Sequence, residues 1–203
     1  MTYFNKPVAG AGNLETQDDH YWRLCEISFR HLQSAYVSRQ NQSEHEWVVG
    51  ISNDDPLFGR SDYLHSITQL GVAKSSEYTH SLAAIVFSPA WMLSAANYYC
   101  QTNETVIGSK FEGLNALAKS LGLSKTEKKK ISALRTRRNE ILHLYQQTDG
   151  DELANLDFYE AYSYVKSVWF MYESLLRKFG IQPDQGAWKI QTNKYSLPES
   201  MTV

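Results

Sequence analysis

Apolar residues recur every three to four positions over long stretches of this chain, which is the spacing of one buried face of an α-helix. This spacing predicts a helix from Asp18 or Asp19 to about Arg39. It also predicts a mostly apolar helix from Ser75 to Gln101, which Pro89 should kink or break near Ser88. Three further helices are predicted, over 109–121, 124–146 and 151–179.

The segment between the first two helices has a mixed pattern. Residues 40–75 contain turn-forming sequences and a short apolar run near 46–51, which permits a short pair of strands. A short helix from Ser61 should stop at Gly71, since glycine is a common residue after a helix end. The pattern as a whole predicts an all-α bundle of four to five main helices with short connections.

Composition and length agree with a single helical domain. Hydrophobic residues make up 42% and aromatic residues 13% of the 203 residues, which excludes a disordered chain. We expect the domain to cover 18–180, with a flexible arm at 1–17 and an irregular tail at 181–203. We see neither an export signal nor an apolar run long enough to span a membrane, so we expect a cytoplasmic protein with reduced Cys25 and Cys100.

Positive charge is concentrated in one helix. Seven lysine and arginine residues but only two glutamates lie within 124–140, although the whole chain has a net charge of −2. A polyanion would therefore be attracted to this helix and not to the protein as a whole.

An arginine interrupts the apolar face of that basic helix. Ser124 and Glu127 have the spacing of a capping box, which opens the helix. Arg138 falls in the middle of the apolar stripe, where an unpaired guanidinium costs several kcal/mol of lost hydration. Such conflicts with the local pattern are typical of functional positions. The stripe consists of the hydrophobic residues Ile131, Leu134, Ile141, Leu142 and Tyr145.

Polar groups that suit a phosphodiester follow one edge of the same stripe. Arg135, Asn139 and His143 are spaced by four residues, and Lys128 continues the row. Guanidinium groups neutralise phosphate, an amide can orient it, and imidazole transfers protons near neutral pH. Arg138 and His143 point about 140° apart on the helix, so a second copy across a two-fold axis would be needed to bring both groups to one phosphate.

The segment Arg138-Asn139-Glu140-Ile141-Leu142-His143 resembles the Arg-x4-His motif of HEPN domains in its common Arg-Asn-x3-His form. HEPN domains are all-α and are widespread in prokaryotic toxin–antitoxin, phage-defence and RNA-processing systems. Many of them are metal-independent endoribonucleases that act as dimers, with the motifs of two protomers in one cleft. The resemblance therefore implies a HEPN-like bundle over 18–180 that functions as a homodimer.

The resemblance also implies roles for three residues. His143 would be the general base or acid at the ribose 2′-OH or the leaving 5′-oxygen, and Arg138 would hold the scissile phosphate. Asn139 would orient the imidazole or the phosphate. Attack by the 2′-OH leaves a 2′,3′-cyclic phosphate and needs neither a metal nor another cofactor. Expected partners are RNA, a second copy, and a cognate antitoxin or nucleotidyltransferase-type protein, while Lys128 and Arg135 would guide the RNA backbone.

Two other interpretations of these residues stay open at this point. The chain is either a catalytically inactive HEPN-like module that binds RNA, nucleotide or a partner protein, or a structural dimerisation protein. In the second case Arg138 would pair with Asp157 or Glu160, and His143 would be a structural histidine. The lysines at 128–130 would then form an ordinary solvated helix face.

Overall fold

The computed structural model describes residues 15–54, 60–102, 123–147 and 156–198. Within these ranges the structure is helical and contains no strand, which confirms the predicted all-α class for this part of the chain. The helix predicted over 109–121 lies outside the described residues. Five helices follow one another: α1 (Glu15–Asp54), α2 (Arg60–Thr102), α3 (Lys125–Gln147), α4 (Phe158–Lys178) and α5 (Ala187–Lys194).

Helices α1 and α2 are much longer than the sequence pattern predicted. The sequence permitted a short pair of strands near 46–51, but these residues belong to α1. The predicted helix end at Gly71 is wrong, since α2 continues through this glycine. The two helices pack side by side, and such tertiary packing overrides the weak helix propensity of single residues.

Pro89 lies inside α2, which does not end there. Proline removes one backbone N–H from the helix and crowds the preceding turn. Buried hydroxyl groups provide extra hydrogen bonds at this point: Ser88 donates to the carbonyl of Ala84, and Ser28 of α1 donates to the same carbonyl at 3.1 Å. Of the predicted kink or break near Ser88, the break into two helices is wrong, because α2 continues through Pro89.

Helix α4 begins later than the sequence pattern suggested, at Phe158 and not near Asp151. Asp157 precedes the helix in an extended conformation, and its side chain accepts the N–H of Glu160 at 2.9 Å. This is the usual geometry of an N-cap, which satisfies one of the free N–H groups of the first turn.

The buried carboxylate of Glu77 joins three helices at the start of α4. Only 4% of this residue of α2 is exposed. Its Oε1 accepts the N–H of Phe158 at 2.8 Å, and its Oε2 accepts the side-chain amide of Gln42 from α1. The guanidinium of Arg39 lies 3.7 Å away on the same side. These contacts fix the position of α4 along the α1–α2 pair.

Large aromatic side chains fill the space between α1, α2 and α4. Trp169 of α4 is fully buried and makes an edge-to-face contact with Phe29 of α1, with ring centroids 5.7 Å apart. On its other side Trp169 meets Trp91 of α2 at 5.9 Å. Such aromatic pairs stabilise a core beyond the area that they bury.

The C-terminal segment predicted to be irregular contains α5 and packs on this core. Trp188 of α5 is buried and donates to the Tyr162 hydroxyl at 3.3 Å. Tyr162 in turn donates to the carbonyl of Pro198 at 2.7 Å, and Lys194 pairs with Glu26 of α1 at 3.0 Å. The tail up to Pro198 is therefore held by aromatic and polar contacts that its sequence pattern did not indicate.

We predict that Glu77→Ala lowers the free energy of unfolding by about 3 kcal/mol. The substitution leaves the N–H of Phe158 buried without its carboxylate acceptor and leaves the Gln42 amide with only the Ala73 carbonyl, at 3.5 Å. Urea denaturation followed by circular dichroism measures the change. Glu46→Ala is the control, because Glu46 and Lys74 form an exposed pair and its loss should cost less than about 0.5 kcal/mol. Equal losses in the two variants would contradict this role of Glu77.

One contact between α1 and α2 depends on protonation. The Nδ1 atoms of His31 and His80 lie 2.9 Å apart, so one ring nitrogen must accept the proton that the other donates. Burial lowers the pKa of His31, and the charge of His80 lowers it further. The folded protein therefore binds a proton at His31 less readily than the unfolded chain does.

We predict that this histidine makes the protein less stable in acid. A lowered pKa in the folded state gives a stabilisation that is complete above the unfolded pKa of about 6.5 and is lost as the pH falls through the folded value. Urea denaturation between about pH 7.5 and pH 5 should show a smaller decline in unfolding free energy for His31→Asn than for wild type. An identical decline in both proteins would be evidence against the effect.

Candidate functional site

Helix α3 opens with the capping box that the sequence predicted. The Ser124 hydroxyl accepts the N–H of Glu127 at 3.3 Å, and the Glu127 carboxylate accepts the N–H of Ser124 at 2.8 Å. These hydrogen bonds are the main reason that the pKa of Glu127 is lowered, and the charges of Lys178 and Lys130 add to the effect. The start of the helix is thus confirmed, and so is the helical position of every candidate residue.

The apolar stripe of α3 faces the rest of the bundle. Ile131 and Ile141 are buried, and Leu134 packs against the main core. The Tyr164 hydroxyl of α4 donates to the carbonyl of Leu134 at 3.1 Å. The wheel analysis therefore identified the inward side of α3 correctly, and Arg138 lies on that side.

Arg138 is half-buried and has no acidic partner in the described part of the chain. Its Nε is buried and has no hydrogen-bond acceptor among these residues. Burial raises the pKa of Tyr164, and the nearby positive charge of Arg138 opposes that rise. The guanidinium therefore lies near a buried phenol and is not neutralised by any carboxylate of ranges 15–54, 60–102, 123–147 and 156–198.

The two acids proposed from the sequence as partners of Arg138 bind elsewhere. Glu160 accepts a hydrogen bond from Nε of Arg137, the preceding residue, and Asp157 caps α4. Arg137 also lies 3.4 Å from Glu140 on its own helix, and these two carboxylates raise its pKa. The interpretation in which Arg138 pairs with Asp157 or Glu160 is therefore wrong.

The other candidate residues share α3 with Arg138. Asn139 is half-buried, whereas Arg135 and Lys128 are exposed. His143 belongs to the same helix, but its side chain lies outside the described residues. The structure thus gives the motif one continuous helical scaffold, with free cations on its outer edge.

Two residues of α4 position this helix, and the sequence analysis assigned one of them to the wrong arginine and did not recognise the other. Glu160 holds Arg137 and so ties α3 to α4, while Tyr164 contacts α3 beside Arg138. The only sequence signal for Tyr164 was its place in an apolar helical pattern, which does not separate a site residue from a core residue. Arg137 and Arg138 point about 100° apart on the helix, so the position of α4 decides which of the two arginines reaches Glu160.

The described residues include neither a metal-binding cluster nor a membrane-spanning helix. No three His, Cys, Asp or Glu side chains in those ranges are grouped closely enough to hold a metal ion. None of their helices has the length and apolar character required to cross a membrane.

No family model matches the chain, and neither the curated proteins nor the solved structures include a significant match. The HEPN resemblance therefore depends on the six residues 138–143 and on their helical setting.

We predict opposite effects on stability for the two neighbouring arginines. Arg138→Leu should raise the free energy of unfolding by about 1 kcal/mol, because leucine completes the apolar stripe and removes a buried N–H without an acceptor. Arg137→Leu should lower it by about 0.5–1 kcal/mol, since the ion pair with Glu160 is lost. Chemical denaturation of both variants measures the difference. A larger loss for Arg138→Leu than for Arg137→Leu would mean that Arg138 has a stabilising partner.

Proposed function

We propose that this protein is a metal-independent endoribonuclease of HEPN type that acts as a homodimer. The observation that supports the proposal best is the unneutralised Arg138 on the inward face of α3. A cation kept in such a position stabilises the fold poorly, because its desolvation is not compensated by a carboxylate in the described ranges. The arrangement is understandable if an external anion supplies the missing charge when it binds.

The phosphodiester of RNA is the anion that the remaining residues fit. Arg138 would bind the scissile phosphate and stabilise the charge that develops on it in the transition state. An imidazole of His143 would take the proton of the ribose 2′-OH, whose oxygen attacks the neighbouring phosphorus. The bond to the 5′-oxygen breaks, and that oxygen receives a proton from a second acid, for which the partner protomer's copy of the motif is available in a dimer. The products are a 2′,3′-cyclic phosphate and a 5′-hydroxyl.

Charge on the outer surface of α3 favours a nucleic-acid substrate over a small phosphate ester. Lys128 and Arg135 are exposed, and the neighbouring Lys129 and Lys130 are exposed as well. Side chains of this kind bind successive backbone phosphates and make the affinity depend on salt. In a toxin–antitoxin or phage-defence setting, a cognate antitoxin or nucleotidyltransferase-type partner would restrain such an activity.

We predict that the purified protein cleaves a mixed RNA pool in excess EDTA and that His143→Ala and Arg138→Ala each reduce the rate at least about 100-fold. The matched controls are His45→Ala and Arg30→Ala, which lie on α1 and should retain the wild-type rate. End mapping should find 2′,3′-cyclic phosphates.

Three results would decide against this proposal. Cleavage by His143→Ala at the wild-type rate would refute the role of His143. Cleavage that requires an added metal would refute the mechanism. Absence of cleavage, together with RNA binding that Arg138→Ala abolishes, would instead identify an inactive RNA-binding module.

A further inference from the structure

Tyr164 of α4 has a buried ring and a hydroxyl group that is held weakly. Only 4% of the residue is exposed, and its ring belongs to the main hydrophobic core. The hydroxyl donates to the carbonyl of Leu134 at 3.1 Å, whereas O–H···O hydrogen bonds are usually about 2.5–3.0 Å long. On the same helix, Tyr162 donates to the carbonyl of Pro198 at 2.7 Å. The hydroxyl of Tyr164 is therefore the easier of the two to redirect.

The carbonyl of Leu134 does not depend on this hydroxyl. In an α-helix the carbonyl of residue 134 accepts the backbone N–H of residue 138, and α3 is continuous from Lys125 to Gln147. The O–H of Tyr164 can therefore turn to another acceptor without leaving a buried carbonyl unpaired, which would be costly. The shared carbonyl also places this hydroxyl beside the turn of α3 that carries Arg138.

Both side chains at this place are hydrogen-bond donors. Burial raises the pKa of Tyr164, and the positive charge of Arg138 offsets only part of that rise, so the phenol keeps its proton at neutral pH. The guanidinium of an arginine has donors and no acceptor. In the part of the chain that the structure describes, no carboxylate pairs with Arg138. Two neighbouring donors beside an unneutralised charge form a place that suits an anion.

We propose that Tyr164 is the second donor of an anion site whose first donor is the Nε–H of Arg138, and that the ligand is a phosphate group. Arginine binds phosphate through two parallel N–H groups, and Nε–H is one of those available for this purpose. The Nε of Arg138 is buried and lacks an acceptor among the described residues. When phosphate binds, this N–H gains its acceptor, and the hydroxyl of Tyr164 turns from the Leu134 carbonyl to a phosphate oxygen.

A phosphate group fits these donors better than a carboxylate does. A guanidinium that binds a carboxylate in the bidentate manner occupies both of its oxygens. A phosphate group has four oxygens in a tetrahedral arrangement, which leaves an oxygen for a donor on a second helix. Arg135, one turn before Arg138 on α3, is exposed and adds positive charge on the solvent side. The inference rests on the proposed function for its biological meaning, since the group bound here would be the scissile phosphate of RNA.

Titration of the full chain with inorganic phosphate tests the site without RNA. In protein labelled with ¹⁵N-arginine and ¹³Cζ-tyrosine, the NMR resonances of Arg138 Nε–H and Tyr164 Cζ should shift along the same binding curve. Tyr164→Phe should weaken phosphate binding at Arg138 about tenfold, because a hydrogen bond to a charged group is lost. Tyr162→Phe is the matched control, since it removes a hydroxyl of the same helix that binds the Pro198 carbonyl, and it should bind phosphate like wild type.

Three results would overturn the proposal. The first is an Arg138 resonance that does not respond to phosphate in wild type, and the second is a Tyr164 resonance that stays in place while that of Arg138 shifts. The third is equal weakening of phosphate binding by Tyr164→Phe and Tyr162→Phe, which would indicate a general loosening of α4.

RNA cleavage by the same proteins separates this inference from the proposed function. Phosphate binding at both residues in a protein that cleaves no RNA would refute the function alone. Cleavage that depends on His143, in a protein whose Tyr164 does not respond to phosphate, would refute this inference and leave the function intact.

Discussion

A single buried carboxylate sets the relative positions of the helices that carry the candidate site. Glu77 accepts hydrogen bonds from Gln42 of α1 and from the first N–H of α4, and Arg39 lies near it. Burying a charge in this way is favourable only because several donors replace water. The free N–H groups at a helix start also carry partial positive charge, which favours an anion at this place. The start of α4 is thereby fixed at Phe158.

The position of α4 then determines the position of α3. Glu160, in the first turn of α4, binds Arg137, and Tyr164 one turn later binds the carbonyl of Leu134. Of two adjacent arginines, one is thus neutralised in the fold and the other is not. Arg137 is a structural residue, while Arg138 retains a charge that no carboxylate of the described ranges offsets. This difference is the physical basis for assigning an anion-binding role to Arg138.

Local signals in the sequence were sufficient to predict the features that depend on residues close together along the chain. The capping box at Ser124, the inward side of α3 and the all-α class all follow from spacing within one helix, and the structure confirms them. The spacing also showed that the charged Arg138 falls within the apolar stripe of its helix. The identification of RNA as the ligand, by contrast, comes from the motif resemblance and remains a proposal.

Long-range packing explains the errors. Gly71 and the apolar run near 46–51 favour a turn and strands locally, but α1 and α2 continue through them because each helix packs along the other. The partner of Arg138 was misassigned for a similar reason. The sequence alone does not show which arginine pairs with Glu160. The packing of α4 beside α3 places Glu160 in contact with Arg137. Burial of Trp188 and the docking of α5 also depend on contacts with distant residues.

The most direct measurement of the central claim follows the guanidinium Nε–H resonances of Arg137 and Arg138 by NMR in protein labelled with ¹⁵N-arginine. A 2′-O-methyl RNA oligonucleotide supplies the phosphates without allowing cleavage. Our account predicts that the Arg138 resonance shifts on titration with this RNA, while that of Arg137 stays in place because Glu160 already holds it. An Arg138 resonance that does not move at saturating RNA would contradict the account.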